Sequence, residues 1–423
     1  MATTEIVETE PSPAPSQLFP AAGRRLVVLS PTYAPEPLGT PLYAADTVAW
    51  LAAAGWDIEV VTSQPYYPDF VRHPGYGRAT RRDRVDGVPV LRLPTIVPRA
   101  GRVRWRLAGD ANFLAQGAAR AAVRGVRRSP TVLSISPGTP VSTMVGAAVR
   151  RGDGRHVCIV HDVQSGLAAG LGMIASTRLV GVVRDAERRA LDLADHLLAL
   201  SEEMVGGLRA IGVRTPIGVL PLWSTVPAAV GSPPSAMTDV QFSGNLGRKQ
   251  GLDQLVGLFT SLRRSRPSTT FTVRGAGPLR DSVQAQLDAA GLGVTIEPPV
   301  ETAALPGALR ASRLHVVPQL ATTATHVVPS KIINVLATGG AVLAFASPAS
   351  PVARMARECP AIRVVEPGDI AGAVTAACEL LDTRVLASLR QAAQEYARDH
   401  HDRERLLRRL HEVLVGPRAL AAG

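Results

Sequence analysis

The feature that most constrains this chain is an alternation that begins twice. Short apolar runs, RRLVVLS, DIEVVTS, TVLSIS, HVCIVH, HLLALS and PIGVLP, are separated by segments with helical apolar spacing, such as PLYAADTVAWLAAAG and RLVGVVRDAERRALDLA. WSTVPAAVGSPPSAMTD, Trp223 to Asp239, interrupts the pattern with proline, serine and alanine and reads as a linker. The alternation then resumes with VQFSGN, TFTVRG, VTIEP, LHVVPQ, AVLAFA and IRVVE. Near-continuous apolar strands separated by helices predict parallel sheets covered on both faces. The expected fold is α/β, two Rossmann-like domains facing each other across a cleft, with ligands at the carboxyl ends of strands. The expected divisions are a disordered tail over 1–23, a first domain over 24–222, a linker over 223–239 and a second domain over 240–395. A C-terminal helix over 396–415 that can pack back on the first domain and a tail over 416–423 complete the chain.

A chain of 423 residues is too long for one compact core, and at 46% hydrophobic residues both domains can bury one. No window approaches ~18 uninterrupted apolar residues, so no membrane span is expected. The first twenty-two residues are acidic and proline-rich, without the basic start and apolar centre of a signal peptide. Cys158, Cys359 and Cys378 lie far apart, matching neither a disulfide framework nor a metal pattern, so a reducing cytoplasm is the expected setting. The net charge of +11 invites an anionic partner, but aromatics are only 4% and no nucleic-acid-binding motif is present. Pro98 to Arg128 is more pointed. Arg99, Arg102, Arg104 and Arg106 surround Val103, Trp105 and Leu107, a mixture suited to an anionic membrane surface, with an ordinary solvated helix as the alternative.

The clearest functional signal is HVVPSKIINVLATGGAVL, His326 to Leu343. Pro329 and Ser330 start a helix, a serine oxygen being able to cap it, and Gly339 and Gly340 stop it before an apolar strand. Lys331 and Asn334 share one face, one turn apart. A lysine in the first turn is disfavoured by the helix dipole unless an anion sits there, which points to a phosphate site. SGNLGRKQG, Ser243 to Gly251, opens a helix directly after a strand; Gly244 and Gly247 let backbone approach closely while Arg248 and Lys249 bring charge. In TVRGAGPLRDSV, Gly275 and Gly277 fit a tight strand-to-helix turn better than a nucleotide contact.

In the first domain, LSPTYAPEPLGTP leads a strand into a helix that Thr40 can cap, with Gly39 letting phosphate reach free N–H groups. HVCIVHDVQSG places His161 and Asp162 at a strand's carboxyl end, where polar residues of such folds are often functional, although Asp162 can equally cap the next helix. No serine–histidine–aspartate spacing, metal cluster or paired-carboxylate motif stands out.

These motifs, in this order, resemble those of the family 4 glycosyltransferases, retaining enzymes of the GT-B fold, from about Arg24 to Leu414. The chain is most similar to colanic-acid and capsule-type fucosyl or fucosaminyl transferases. The resemblance implies transfer from a nucleotide-diphosphate sugar with retention, an acceptor-side first domain and a donor-binding second one, and no metal or other cofactor. It matches Gly39 to the glycine loop near the donor diphosphate, which Thr40 follows, and Lys331 to the lysine of a proline–serine–lysine donor signature that includes Ser330. His326 and Asn334 stand where the common pattern has two glutamates, Asn245 where it has an arginine after Gly244, and Gln250 where it has a lysine; Arg248 and Lys249 lie alongside. Asp162 or His161 would orient acceptor or donor sugar, while a nucleotide contact at Gly275 stays the alternative to the tight turn read there. The implied acceptor is a glycan or a polyprenyl-diphosphate-linked glycan at the inner face of the membrane. A sugar-nucleotide epimerase of the same fold and, more distantly, a nucleic-acid-binding protein are the alternatives.

Overall fold

The computed structural model describes residues 23–68, 70–98, 103–122, 129–136, 139–163, 177–228, 234, 237–247, 250–320 and 329–416. The first alternation gives β1 (Arg25–Leu29), α1 (Thr40–Ala53), β2 (Asp57–Ser63), β3 (Arg81–Val85), β4 (Val88–Leu93), α2 (Val103–Ala122) and β5 (Ser129–Ser136). It continues with α3 (Val141–Val149), β6 (Arg150–Val160), α4 (Thr177–Leu191), β7 (His196–Ala199), α5 (Glu202–Ala210) and β8 (Ile217–Val219). The strands form one sheet in the order β3-β4-β2-β1-β5-β6-β7-β8. Val27, Leu29, Val61, Leu91 and Val132 are buried in its core, as continuous apolar strands require.

One edge departs from the all-parallel expectation. β3 and β4 pair antiparallel through Asp86 and Gly87, at φ 49° and 80°. Two positive φ values in a two-residue loop suit the twist of a hairpin, and Asp-Gly is the sequence that accepts them.

The second alternation gives β9 (Thr238–Ser243), α6 (Leu252–Ser265), β10 (Phe271–Arg274), α7 (Arg280–Ala289), β11 (Ile296–Glu297), α8 (Leu305–Arg310) and β12 (Ser312–Pro318). α9 (Ser330–Ala337), β13 (Ala341–Phe345), α10 (Pro351–Glu358), β14 (Ile362–Val365), α11 (Ile370–Leu380), α12 (Leu386–His401) and α13 (Arg403–Val415) follow. The sheet order is β11-β10-β9-β12-β13-β14, every pair parallel. Counted from β9 this is 3-2-1-4-5-6, the doubly wound order, whose reversal lies between β9 and β12.

The chain divides into two compact units, Met1–Cys158 with Leu193–Asp195 and His411–Gly423, and Ile159–Asp192 with His196–Leu410. The helical run expected over 396–415 is two helices. Asp402 is extended (φ −66°, ψ 120°) and its Oδ1 accepts the Arg405 N–H at 2.7 Å, ending one helix and capping the next. Within the first unit, Trp56 Nε1 donates to His411 Nδ1 at 3.1 Å. Among the described residues no helix is long and apolar enough to cross a membrane.

Candidate functional site

The strand order of the second sheet reverses between β9 and β12, and doubly wound sheets bind ligands beyond the carboxyl ends of the strands at such a reversal. The loop after β9 runs from Gly244 to Gly251, and the loop after β12 leads towards α9. In the first turn of α6, Gln254 Nε2 donates to the Gln319 carbonyl just after β12 at 3.2 Å. Behind them the loop after β10 packs backbone to backbone: Gly244 N–H donates to Arg274 O at 3.0 Å and Leu246 N–H to Ala276 O at 2.9 Å. A Cβ at Gly275 would collide with the Gly244 carbonyl, so Gly275 serves this close approach.

α9 begins differently from the sequence expectation. Pro329 holds the cap position (φ −72°, ψ 99°) and Ser330 is already the first helical residue, so the cap residue's side chain makes no bond to the first turn. Proline's fixed φ is compatible with that half-extended place, and it brings no oxygen to occupy the N–H groups. Lys331 lies beside them. Its Nζ donates to Gln250 Oε1 at 3.1 Å and sits 4.6 Å from the centre of the Phe242 ring. Gly244 makes room, since a Cβ there would stand 3.2 Å from Nζ. Burial pulls the ammonium down to about 8, because neither the amide nor the ring repays the lost hydration as a full negative charge would. This is a cation held ready beside uncapped N–H groups.

Asn334, one turn on, is engaged elsewhere. Its Oδ1 accepts the Thr225 N–H at 2.9 Å and its Nδ2 donates to Thr225 Oγ1 at 2.9 Å. Asn245 is exposed, its Oδ1 lying close to Gly247 and Gly277. Arg248, Lys249 and His326, expected in the same site, lie outside the described residues.

The first sheet has its own reversal, between β1 and β5. Gly39 ends the loop after β1 and occupies the cap of α1 at φ 72°, ψ −138°, a conformation that favours glycine; no side chain caps this helix either. Thr40, expected to cap, is instead the first helical residue, followed by Pro41. The loop is fixed from beneath. Fully buried Arg92 donates to the Ala34 carbonyl at 2.8 Å and to Asp83 Oδ2 at 3.0 Å. Glu36, 3% exposed, accepts the backbone N–H groups of Tyr33 (3.2 Å), Tyr66 (2.9 Å) and Tyr67 (2.9 Å), tying this loop to the one after β2. Burial pushes its carboxyl above the usual range, against those three donors. Sequence reasoning overlooked Glu36; the available signal was a lone acid between two prolines, a residue type rarely buried without partners.

His161 and Asp162 follow β6 directly, both half-buried. Desolvation lowers the His161 imidazole to about 4, so it is neutral at pH 7.

Two family models match the chain. A glycosyl transferase 4-like domain covers residues 39–223 and a glycosyl transferases group 1 domain covers 238–383. A protein of Escherichia coli (strain K12) named as a colanic acid biosynthesis glycosyl transferase, WcaI, is 26% identical over 405 residues, spanning 91% of this chain and 98% of its own. Solved structures share the fold at lower identity. Sucrose-phosphate synthase from Thermosynechococcus elongatus has a TM-score of 0.72 at 17% identity, over 95% of this chain and 100% of its own. WaaG, a glycosyltransferase involved in lipopolysaccharide biosynthesis, has a TM-score of 0.67 at 15% identity, over 93% and 100%. With both family models in sequence order on two α/β sheets, the chain belongs to the GT-B glycosyltransferases, a 4-like domain followed by a group 1 domain.

Proposed function

We propose that this glycosyltransferase moves a sugar from a nucleoside-diphosphate sugar, with retention, onto a glycan or polyprenyl-diphosphate-linked acceptor in cell-surface polysaccharide synthesis. The observation that carries the donor class is Lys331, a half-buried cation with an amide and a ring for partners, in the first turn of a helix whose cap residue, Pro329, has no side-chain oxygen for the N–H groups, at a strand-order reversal. The name of the Escherichia coli relative supports the acceptor class. In the reaction the C1–O bond to the diphosphate breaks, the acceptor oxygen bonds C1 from the same face, and the hydroxyl proton passes to the departing phosphate oxygen. Charge grows on the leaving diphosphate, where Lys331 and the first turn of α9 stabilise it, with Lys249 and Arg248 supplying further charge. Asp162, together with the neutral imidazole of His161, orients the reacting hydroxyl or donor sugar. The reading needs no cofactor beyond the donor substrate.

A panel of sugar nucleotides tests it by thermal shift, since ligand at a hundred times Kd stabilises by about 2.7 kcal/mol. The stabilising donor is then incubated with and without lipid-linked acceptor. Conversion of the donor alone to an isomer would replace transferase by epimerase; stabilisation by no sugar nucleotide would sink the donor reading.

The same reading places the first domain on an anionic membrane. Arg106 and Leu107, the latter 54% exposed, stand at the start of α2 with half-buried Trp105. Leu38, Phe70, Val71 and Ile96 are exposed on the loops after β1, β2 and β4, at the same carboxyl edge. Arg99 and Arg102 lie outside the described residues, as does the Arg104 side chain. Each nearby arginine adds roughly 1 kcal/mol of attraction to anionic lipid. Sedimentation with anionic vesicles should weaken in salt and fall on changing Arg102, Arg104 and Arg106 to glutamate, with donor affinity kept. Unchanged sedimentation would move the docking surface elsewhere.

A further inference from the structure

The start of the linker, Trp223 to Val226, is more firmly held than its sequence implies. Leu222 and Trp223 are buried, and Val226 belongs to the core cluster of the second sheet. His401, at the end of α12, grips the segment twice: its Nδ1 donates to the Leu222 carbonyl at 2.7 Å, and its own carbonyl accepts the Ser224 N–H at 3.2 Å. Ser224 Oγ donates to Val226 O at 2.7 Å, closing the turn. Thr225 is left facing α9, and Asn334 meets it with both ends of its amide.

The orientation of that amide follows from chemistry. A backbone N–H only donates, so the atom 2.9 Å from Thr225 N is the oxygen, and the nitrogen faces Thr225 Oγ1. A second hydroxyl, Ser224 Oγ, lies 3.3 Å from the same oxygen. Asn334 therefore offers a nucleoside little beyond one remaining N–H. Lys331 stands one turn away on the same helix of eight residues, too short to hold its own position without packing.

We infer that Asn334 is a positioning residue of the donor site: through Thr225 it fixes α9, and with it the Lys331 ammonium, to the linker, and it does not contact the nucleoside. The inference rests on the reading that Lys331 holds the donor diphosphate.

Three probes separate the roles: inorganic pyrophosphate, UDP and GDP, titrated calorimetrically into the full chain. Asn334→Leu removes both clamp bonds, Thr225→Val removes one while keeping shape, and Thr225→Ser retains the hydroxyl. A positioning role predicts that Asn334→Leu weakens pyrophosphate and whichever nucleoside diphosphate binds by a common factor of about five to ten. Thr225→Val should follow in the same sense and Thr225→Ser should bind as the parent does. Hydrogen exchange at the Thr225 amide should quicken in Asn334→Leu, a readout independent of ligand. If Asn334→Leu weakens only the nucleoside diphosphates, leaving pyrophosphate untouched and Thr225→Val silent, Asn334 contacts the nucleoside and the inference fails. A parent that binds none of the three probes overturns the donor reading, and the positioning role with it. Should Asn334→Leu not fold, Thr225→Val against Thr225→Ser decides.

Discussion

The helix starts at Gly39–Thr40 and at Pro329–Lys331 pose the same problem and answer it with different means. Each follows a strand beside an order reversal, and in neither does the cap residue's own side chain bond the first N–H groups. At the first, the chain supplies shape. A glycine in a left-handed conformation opens the turn, no basic residue stands in the first turn, and buried Arg92 and Glu36 immobilise the loop from below. At the second, the chain supplies charge: a half-buried lysine on an aromatic ring, with space cleared by Gly244. Shape without charge can orient a phosphate group, while charge in a desolvated place binds it and stabilises it as it leaves. The two starts thus differ in what each brings within its own unit, shape at the first and charge at the second.

The sharpest way to break this contrast is Lys331→Met. Removing a preorganised charge should lower transfer by about 10²–10³. The same change should raise the stability of the unliganded protein at pH 7. Because the folded pKa of Lys331 is lowered to about 8 from 10.5, the unfolded chain binds more protons between those values, and stability rises with pH across that window. Replacing the charge at neutral pH therefore gains on the order of 1–3 kcal/mol, an advantage that vanishes above the upper value. Loss of both transfer and stability together would mean that Lys331 is structural.

Asp162→Asn comes next and asks whether a third position, at the end of β6, shares the chemistry. Turnover should fall by about 10²-fold with donor affinity little changed. A silent variant would leave Asp162 a helix cap, since asparagine caps about as well.

Gly39→Ala tests shape without touching charge. No atom lies within 4 Å of the added Cβ, so the cost is the local backbone, about 1–3 kcal/mol at φ 72°. Transfer should drop about tenfold in steady-state kinetics, and a parent-like rate would remove Gly39 from the site. The smallest effect is on pH. Donor affinity should weaken about fourfold from pH 7 to 8.5 as Lys331 loses its proton, and the profile should flatten in Lys331→Met. A dependence surviving in that variant belongs to another group.

Much of the frame was legible because burial on both faces leaves a parallel strand no choice but continuous apolar residues. Lys331 was legible for a similar reason, a charge placed against the helix dipole. The β3–β4 hairpin announced itself only by Asp86-Gly87, in a strand, RRDRV, too charged to resemble a core strand. Asn334 was read for its spacing from Lys331, but its partner is 109 residues away, a pairing that no local pattern encodes. Glu36 is the same case, its donors Tyr66 and Tyr67 lying 30 and 31 residues on. Ser330 and Thr40 were each placed one position early, because a proline or glycine can hold a cap position that propensity awards to an oxygen.

Phe242, beneath the lysine, has a consequence for how the enzyme cycles. An aspartate in its place would form a resting ion pair that every incoming donor would have to break and that would re-form at each turnover, competing with the diphosphate. A ring face attracts the ammonium without holding a competing anion, and it neither titrates nor exchanges. On the donor reading proposed above, the ring leaves the resting lysine with no competing anion for an incoming diphosphate to displace.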